Sequence, residues 1–295
     1  MEDCAQFLKG RFPDLHVESP YSLKKHSTIG CGGDTLAGVF PRSFTELIAV
    51  VDALEERGYP YCVLGNGSNV LPSDGRSKTA FVFTKHLSLC NFASTPLAYA
   101  GTTAKAFLAA CEEKGKSGAE FLAGVPCTIG GAAYMNAGAA GRYLSEVVHS
   151  VIVYKQGELI SYLKEDCGYA YKTSRFMREG GVILGVTFDL ADATKEEIAE
   201  KKRYYLSRRA NLPKGKSMGC VFKNPEGDFA GRLIEGAGLK GLRNGGAFVS
   251  KEHANFIIND GTATAADVKA LITVVKNAVF QQYKVLLQEE IRFLP

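Results

Sequence analysis

The first clear rhythm in the chain is helical: over residues 43–57, Leu47, Val50, Val51 and Leu54 recur on one face of a 3.6-residue repeat. Ser43 and Glu46 stand in capping-box spacing ahead of it, and Gly58 and Pro60 close it. Tyr61–Leu64 then reads as a short buried strand that runs into Gly65-Asn66-Gly67-Ser68-Asn69-Val70-Leu71 with no helical pattern behind it, and residues 72–75 make a turn. The alternation repeats with an extended stretch at 97–100 and a helix at 103–114, which turns Phe107, Leu108 and Cys111 inward and ends at Gly115.

Past residue 147 the period changes to two. Residues 147–154, 159–162 and 182–190 read as antiparallel strands, the first two joined by a Gln156-Gly157 turn. Thr194 and Glu197 repeat the capping-box spacing before a charged helix to Arg209, whose few core residues predict a connector between domains. Short strands at 247–250 and 255–258 precede a long helix capped by Thr264 and Asp267, with Val268, Leu271, Ile272, Val275 and Val279 as its apolar face. The order predicts an α+β protein in two domains, residues 1–192 and 193–295.

At 295 residues the length itself favours two units. The chain is 46% hydrophobic, yet no apolar run is long enough to span a bilayer, so no membrane partner is expected. A net charge of +4 without a basic run interleaved with aromatics argues against nucleic acid. Residues 1–20 mix both signs of charge with no apolar centre, which predicts no secretory signal and a cytoplasmic location. The 8 cysteines are scattered singly, without CxxC spacing, and read as reduced thiols rather than a metal site.

Candidate chemistry starts with glycine. After a strand, a Gly-x-Gly pair lets backbone N–H groups approach a pyrophosphate closely, because no Cβ intervenes. The dinucleotide fold of Rossmann type needs a helix opening on its third glycine, which Pro72 forbids, and no Gly-Lys-Ser or Gly-Lys-Thr follows for a phosphate loop. Alone, Gly65 to Gly75 reads equally well as a tight loop. A second segment, Gly118 to Gly141, changes the picture: small residues dominate it, and such a stretch is not expected to pack a core of its own. It reads as backbone wrapped around a ligand, with Thr128 and Asn136 as polar contacts and Pro126 fixing the loop. The two segments nominate Gly65, Asn66, Gly67, Ser68, Asn69, Val70, Pro126, Thr128, Ile129, Gly130, Gly131, Asn136 and Gly138 as the cradle of a phosphate-bearing dinucleotide.

These segments, with Tyr169-Ala170-Tyr171-Lys172-Thr173-Ser174-Arg175-Phe176, the run from Ser217 to Pro225, Ala230-Gly231-Arg232-Leu233-Ile234-Glu235 and the run from Ser250 to Phe256, closely resemble the UDP-N-acetylenolpyruvoylglucosamine reductase family, from about His26 to Phe293. The resemblance implies an FAD-binding domain of the vanillyl-alcohol-oxidase type followed by a smaller α/β substrate-binding domain. It implies that NADPH reduces the flavin, that hydride passes to the β-carbon of an enolpyruvyl ether, and that a proton reaches the α-carbon, giving UDP-N-acetylmuramate for peptidoglycan. The 295-residue length suits the family's shorter form, so no lid tyrosine is nominated.

The resemblance also assigns roles. Lys172 stands where the family carries an arginine; it keeps the cation and loses the two-pronged geometry. Cys220 stands where the family's serine donates the proton, and a thiol of reference pKa ~8.5 suits that role. Glu290, in Leu287–Phe293, falls on the catalytic carboxylate of the family's closing strand; neighbouring strand side chains point oppositely, so Glu289 and Glu290 are not expected to share one face. Tyr171, Lys216 and Asn224 are the expected substrate contacts, since a nucleotide sugar needs hydrogen bonds for its uridine and cations for its diphosphate. Two departures stand near the flavin: Cys127 for a common glycine and Ala140 for a frequent tyrosine. The residues alone leave open an oxidase of the same fold on another substrate, a silent nucleotide-sugar-binding paralogue, and a weakly signalled Cys220–His253 nucleophile pair. The expected working form is a monomer.

Overall fold

In the computed structural model, which describes residues 3–295, the polar start signals open helices. The Ser43 hydroxyl accepts the Glu46 N–H at 3.1 Å and starts Phe44–Glu56, although Glu46 does not close the expected box: its carboxylate reaches past Ser43 to the Arg42 N–H at 2.5 Å. Thr194 with Glu197, and Thr264 with Asp267, form the full reciprocal pair ahead of Lys195–Ser207 and Ala265–Tyr283. A helix not read from the sequence, Cys4–Arg11, is capped by Asp3 and buries Cys4, Ala5, Phe7 and Leu8. Met1 and Glu2, part of the N-terminal stretch read above, lie outside the described residues.

The chain gathers into two units, each built from separated stretches. The first holds the described residues up to Glu18, Gly38–Asn66 and Ala80–Ala210; the second holds Ser19–Ala37, Gly67–Thr79 and Asn211–Pro295. The charged Lys195–Ser207 helix belongs to the first and buries only Ile198.

In the first unit, the helix Phe44–Glu56 leads from the strand Asp34–Phe40 into Tyr61–Leu64, which pairs in parallel with Ala80–Phe83. A fully antiparallel sheet follows the order Glu158–Leu163, Val148–Lys155, Val182–Phe188, Leu97–Tyr99, Cys90–Asn91. Gln156 and Gly157, at φ 52° and 82°, make the tight turn that the right-handed twist of a hairpin favours. Phe107, Phe121, Phe176 and Phe188 fill the core beside this sheet.

The second glycine-rich segment contributes to the core of the first unit jointly with other segments: Ala119, Phe121, Leu122, Ala123, Ile129, Ala132 and Ala133 are buried there, and Ile129–Met135 is a helix. Small residues do this by letting backbones close in. A Cβ on Gly130 would lie 2.8 Å from that of Ala100, and one on Gly101 would lie 1.8 Å from the Thr84 carbonyl oxygen.

In the second unit, Lys216–Cys220, Phe256–Asn259, Ala247–Val249 and Arg243–Asn244 form an antiparallel sheet. The helices Ala230–Gly236 and Ala265–Tyr283 contribute Leu233, Ile234, Val268, Leu271, Ile272, Val275 and Val279 to its core, and the two earlier stretches contribute Ile29, Cys31 and Leu71. Asp74 accepts the N–H groups of Ala265 and Ala266 at 2.7 and 2.8 Å, placing a negative charge at the start of the long helix. Leu287–Phe293 departs from the expected strand: only Arg292–Leu294 is extended, paired in parallel with Val70–Pro72, while Glu289 makes a single bridge to Phe222. No described helix is long and apolar enough to cross a membrane.

The burial pattern of the long helix gives a direct test. Leu271 is 1% exposed and Val274 is 48% exposed. Leu271→Ala is expected to lower the unfolding free energy by about 3 kcal/mol in urea titrations, and Val274→Ala to leave it within about 0.5 kcal/mol; equal effects would contradict the assigned face.

Candidate active site

Gly65 and Asn66, the start of the first glycine-rich segment, meet the second segment within the first unit. Asn66 donates its side-chain N–H to the Pro126 carbonyl at 3.3 Å, and a Cβ on Gly65 would fall 2.1 Å from the Thr128 hydroxyl oxygen. Thr128 is itself fixed as the cap of Ile129–Met135, accepting the Gly131 N–H at 3.3 Å. The N–H groups of Ile129 and Gly130 bond the carbonyls of Thr102 and Ala100 at 2.8 and 2.9 Å. Those two amides therefore hold the loop's shape, and Ile129 turns its side chain into the core. Thr128, Ile129 and Gly130 are buried here, while Gly131 is exposed and Gly65 and Asn66 are half-buried. Main chain left open at Gly65 and Gly131 fits a flat, phosphate-bearing cofactor that must approach it closely. Gly138 needs its hydrogen for another reason, since a Cβ there would meet the Tyr143 ring at 2.5 Å.

Asn136 is buried and left-handed (φ 44°), and its carboxamide is committed at both ends: the nitrogen donates to the Ala170 carbonyl and the oxygen accepts the Ser145 N–H, each at 3.0 Å. Ala170 begins a tight turn in which Ala170 and Thr173 exchange backbone hydrogen bonds at 3.2 Å across Tyr171 and Lys172. Lys172 is the second central residue and adopts φ 52°, a conformation costing a side-chain-bearing residue of order 1–2 kcal/mol. Asn136 thus anchors the turn that carries Tyr171 and Lys172, and Tyr171 sits edge-on to Tyr143 with ring centroids 6.0 Å apart.

The second unit contains a cleft of about 440 Å³ whose walls include Cys220, Asn224, Gly231, Arg232, Glu235 and His253. Asn224 directs its side-chain oxygen to the Ala230 N–H at 3.0 Å, capping the Ala230–Gly236 helix. Cys220 ends the Lys216–Cys220 strand, and the residue after it accepts the Glu290 N–H on its carbonyl at 2.8 Å. Glu290 also accepts the Asn69 side-chain N–H on its own carbonyl at 3.1 Å, and Asn69 in turn accepts the Arg292 N–H at 2.9 Å. Cys220, Asn224, Asn69 and Glu290 are therefore neighbours. Glu289, by contrast, pairs with Lys276 on the long helix at 2.7 Å. Lys216 lies at the other end of the Cys220 strand, roughly 13 Å away at the usual rise per residue; its stem packs under Gly30, where a Cβ would come within 2.9 Å of Lys216 Cδ. Gly67 and Val70 belong to the same unit, Gly67 through a bond from the Thr28 N–H to its carbonyl at 3.1 Å and Val70 through its pairing with Arg292.

Cys31 and Cys111 are core thiols. Burial pushes the Cys31 thiol up to about 11 and the Cys111 thiol to about 12, so both stay protonated and inert. His253, which the sequence flags only as a weak nucleophile's base, lines the cleft; burial lowers its pKa, and its Nδ1 accepts the Asn255 N–H at 3.2 Å, which leaves the neutral ring's proton on Nε2. Arg232 and Glu235 are cleft residues that periodicity alone assigns to a helix surface; no charge pattern distinguishes them.

The family model of an FAD binding domain matches residues 35–161, and that of the UDP-N-acetylenolpyruvoylglucosamine reductase C-terminal domain matches residues 210–294. A UDP-N-acetylenolpyruvoylglucosamine reductase of Chlamydia abortus is 38% identical over 291 residues, covering 97% of this chain and 96% of the relative. One of Geobacter metallireducens is 37% identical and covers 92% of each chain. The crystal structure of the Thermus caldophilus UDP-N-acetylenolpyruvylglucosamine reductase matches with a TM-score of 0.84 at 34% identity, over 95% of this chain and 100% of that one. With such identity sustained over nearly the whole of both chains, this protein belongs to the UDP-N-acetylenolpyruvoylglucosamine reductase family.

Proposed function

We propose that the chain reduces UDP-N-acetylenolpyruvoylglucosamine to UDP-N-acetylmuramate at the expense of NADPH, with FAD as its cofactor, in the synthesis of peptidoglycan precursors. The observation that carries this reading is the pairing of Cys220 and Glu290 on bonded neighbouring segments beside a cleft, in a chain whose residues 35–161 match an FAD binding domain. When bound, FAD supplies the transfer of hydride from NADPH to the enolpyruvyl β-carbon. Gly65, Asn66, Gly67, Ser68, Asn69, Val70, Pro126, Thr128, Ile129, Gly130, Gly131, Asn136 and Gly138 are the proposed holders, some by direct contact and others, such as Ile129 and Asn136, by fixing the loops.

The remaining chemistry falls to side chains. Hydride addition leaves negative charge spread toward the substrate carboxylate; the Lys172 ammonium is the proposed group that offsets it, and Glu290 the one that polarises the intermediate. The Cys220 thiol then gives its proton to the α-carbon, so that one hydride and one proton have been added across the double bond and NADPH has been oxidised. Tyr171, Lys216 and Asn224 are proposed to hold the nucleotide sugar, with Lys216 at the diphosphate because its charge lies some distance from Cys220. FAD binding is assigned mainly to the first unit and substrate chemistry to the second. The proposed working form is a cytoplasmic monomer.

Purified protein is expected to show flavin absorption and to oxidise NADPH beyond one equivalent per flavin only when the enolpyruvyl nucleotide is present; flavin-loaded protein that fails to do so, or that turns over rapidly with oxygen alone, would contradict the reading. Cys220→Ala is expected to leave flavin reduction by NADPH within about twofold while slowing flavin reoxidation by substrate roughly 100-fold or more, with rapid-mixing absorbance separating the two steps. Gly65→Ala forces a methyl against Thr128, an overpacking of about 1–3 kcal/mol. FAD titration is expected to show affinity weakened about tenfold or more, and unchanged affinity would remove Gly65 from the cradle.

A further inference from the structure

The strand that ends in Cys220 does not meet its neighbour evenly. Ser217 pairs with Ile258 and Cys220 with Phe256, so the Cys220 side carries one extra residue, a bulge immediately before the proposed proton donor. Val221 still finds a main-chain partner, donating its N–H to the Asn255 carbonyl at 2.8 Å. There the neighbouring strand ends: the chain turns back through His253 and Ala254, with the Phe256 N–H bonded to the His253 carbonyl at 3.0 Å. Phe222, 2% exposed, would be left with two buried main-chain groups and no strand beside it.

Asn255 supplies the missing partner with its side chain. Its Oδ1 accepts the Phe222 N–H at 2.9 Å and its Nδ2 donates to the Phe222 carbonyl at 2.8 Å. A carboxamide carries the same donor and acceptor as a peptide group, so one side chain acts as one further residue of strand. The opposite edge of the same segment is held by residues 288–290, through Glu290 N–H to the Val221 carbonyl and Lys223 N–H to the Gln288 carbonyl, both at 2.8 Å. Residues 221–223 are thus gripped from both sides, with Cys220 at their start and Glu290 on their far edge. Asn255 is itself 2% exposed, and its polar side-chain atoms are turned to Phe222.

We propose that Asn255 is a positioning residue: its carboxamide completes the ladder beyond the bulge and so fixes the spacing between the Cys220 thiol and the Glu290 carboxylate. The roles of those two groups rest on the reductase reading above; the grip itself does not. Its consequence is that proton delivery at Cys220 depends on a residue that also lines the cleft but whose carboxamide is bonded to the Phe222 main chain.

Asn255→Ala tests this in two ways. Amide hydrogen exchange is expected to quicken about tenfold or more at Phe222 and Glu290 while the Ala265–Tyr283 helix stays unchanged; exchange within about twofold of the parent at both amides would overturn the proposal, as would equal acceleration in the helix. In the FAD-loaded variant, flavin reduction by NADPH is expected to keep its rate. Flavin reoxidation by the enolpyruvyl nucleotide is expected to slow about tenfold or more with a larger solvent isotope effect, because proton transfer becomes limiting. Equal loss in both steps, or an unchanged isotope effect, would reduce Asn255 to a structural role. If the parent protein does not reoxidise its flavin with the nucleotide, the reductase reading fails and hydrogen exchange still decides the grip. Should Asn255→Ala not fold, Asn255→Asp carries the same measurements: it keeps the acceptor for the Phe222 N–H and sets an oxygen against the Phe222 carbonyl, and parent-like behaviour in both would refute the proposal.

Discussion

Everything in the first unit that bears on the cofactor depends on main chains approaching where no side chain fits. Gly65 against Thr128, Gly130 against Ala100 and Gly101 against the Thr84 carbonyl are all separations that a single methyl group would violate. Each closes a gap that lets a loop be fixed by hydrogen bonds from the loop behind it, as the Ile129 and Gly130 amides are fixed by Thr102 and Ala100. The Ile129–Met135 helix, its Thr128 cap and the Asn66–Pro126 bond all hang on that contact. The loops that meet there are thus held by the protein's own hydrogen bonds, an arrangement that reduces the ordering cost of binding.

Where strands run out, asparagine side chains take over. Asn255 completes the ladder beside Phe222, and Asn136 ties the Tyr171–Lys172 turn to Ser145. Asn69 holds the Glu290 carbonyl; Asn259 reaches the Ile29 carbonyl at 2.8 Å and accepts the N–H groups of Gly261 and Ala263 at 2.7 and 2.9 Å. Three of these four asparagines hold segments that carry proposed catalytic residues. An amide is suited to this because it offers one donor and one acceptor in a plane and carries no charge, so burial incurs no ionic desolvation.

The sequence was most legible where a local rule acts alone. The caps at Ser43, Thr194 and Thr264, the inward faces of three helices and the Gln156-Gly157 turn all follow from neighbouring residues and appear where they were expected. Glycine content was read less well. It indicated close approach but not the share that Phe121, Leu122 and Ile129 take in the core of the first unit, because compositional smallness conceals a few well-placed large residues. The conformation at Lys172 could not be read, since nothing in its neighbours demands φ 52° and the hydrogen bond that anchors its turn comes from Asn136, far away in sequence. The same holds for Asn255 beside Phe222: a polar residue within an apolar run marks a buried hydrogen bond, but not its partner.

The Asp74 carboxylate at the head of the Ala265–Tyr283 helix has a consequence for how this protein can be made or divided. Together with Ile29, Cys31 and Leu71, it means that the unit containing the C-terminal residues draws a helix cap and part of its interior from stretches translated long before them. No single cut in the chain releases that unit whole. During synthesis from the N-terminus, those early stretches must wait, with their apolar side chains unburied, until the last helix has left the ribosome.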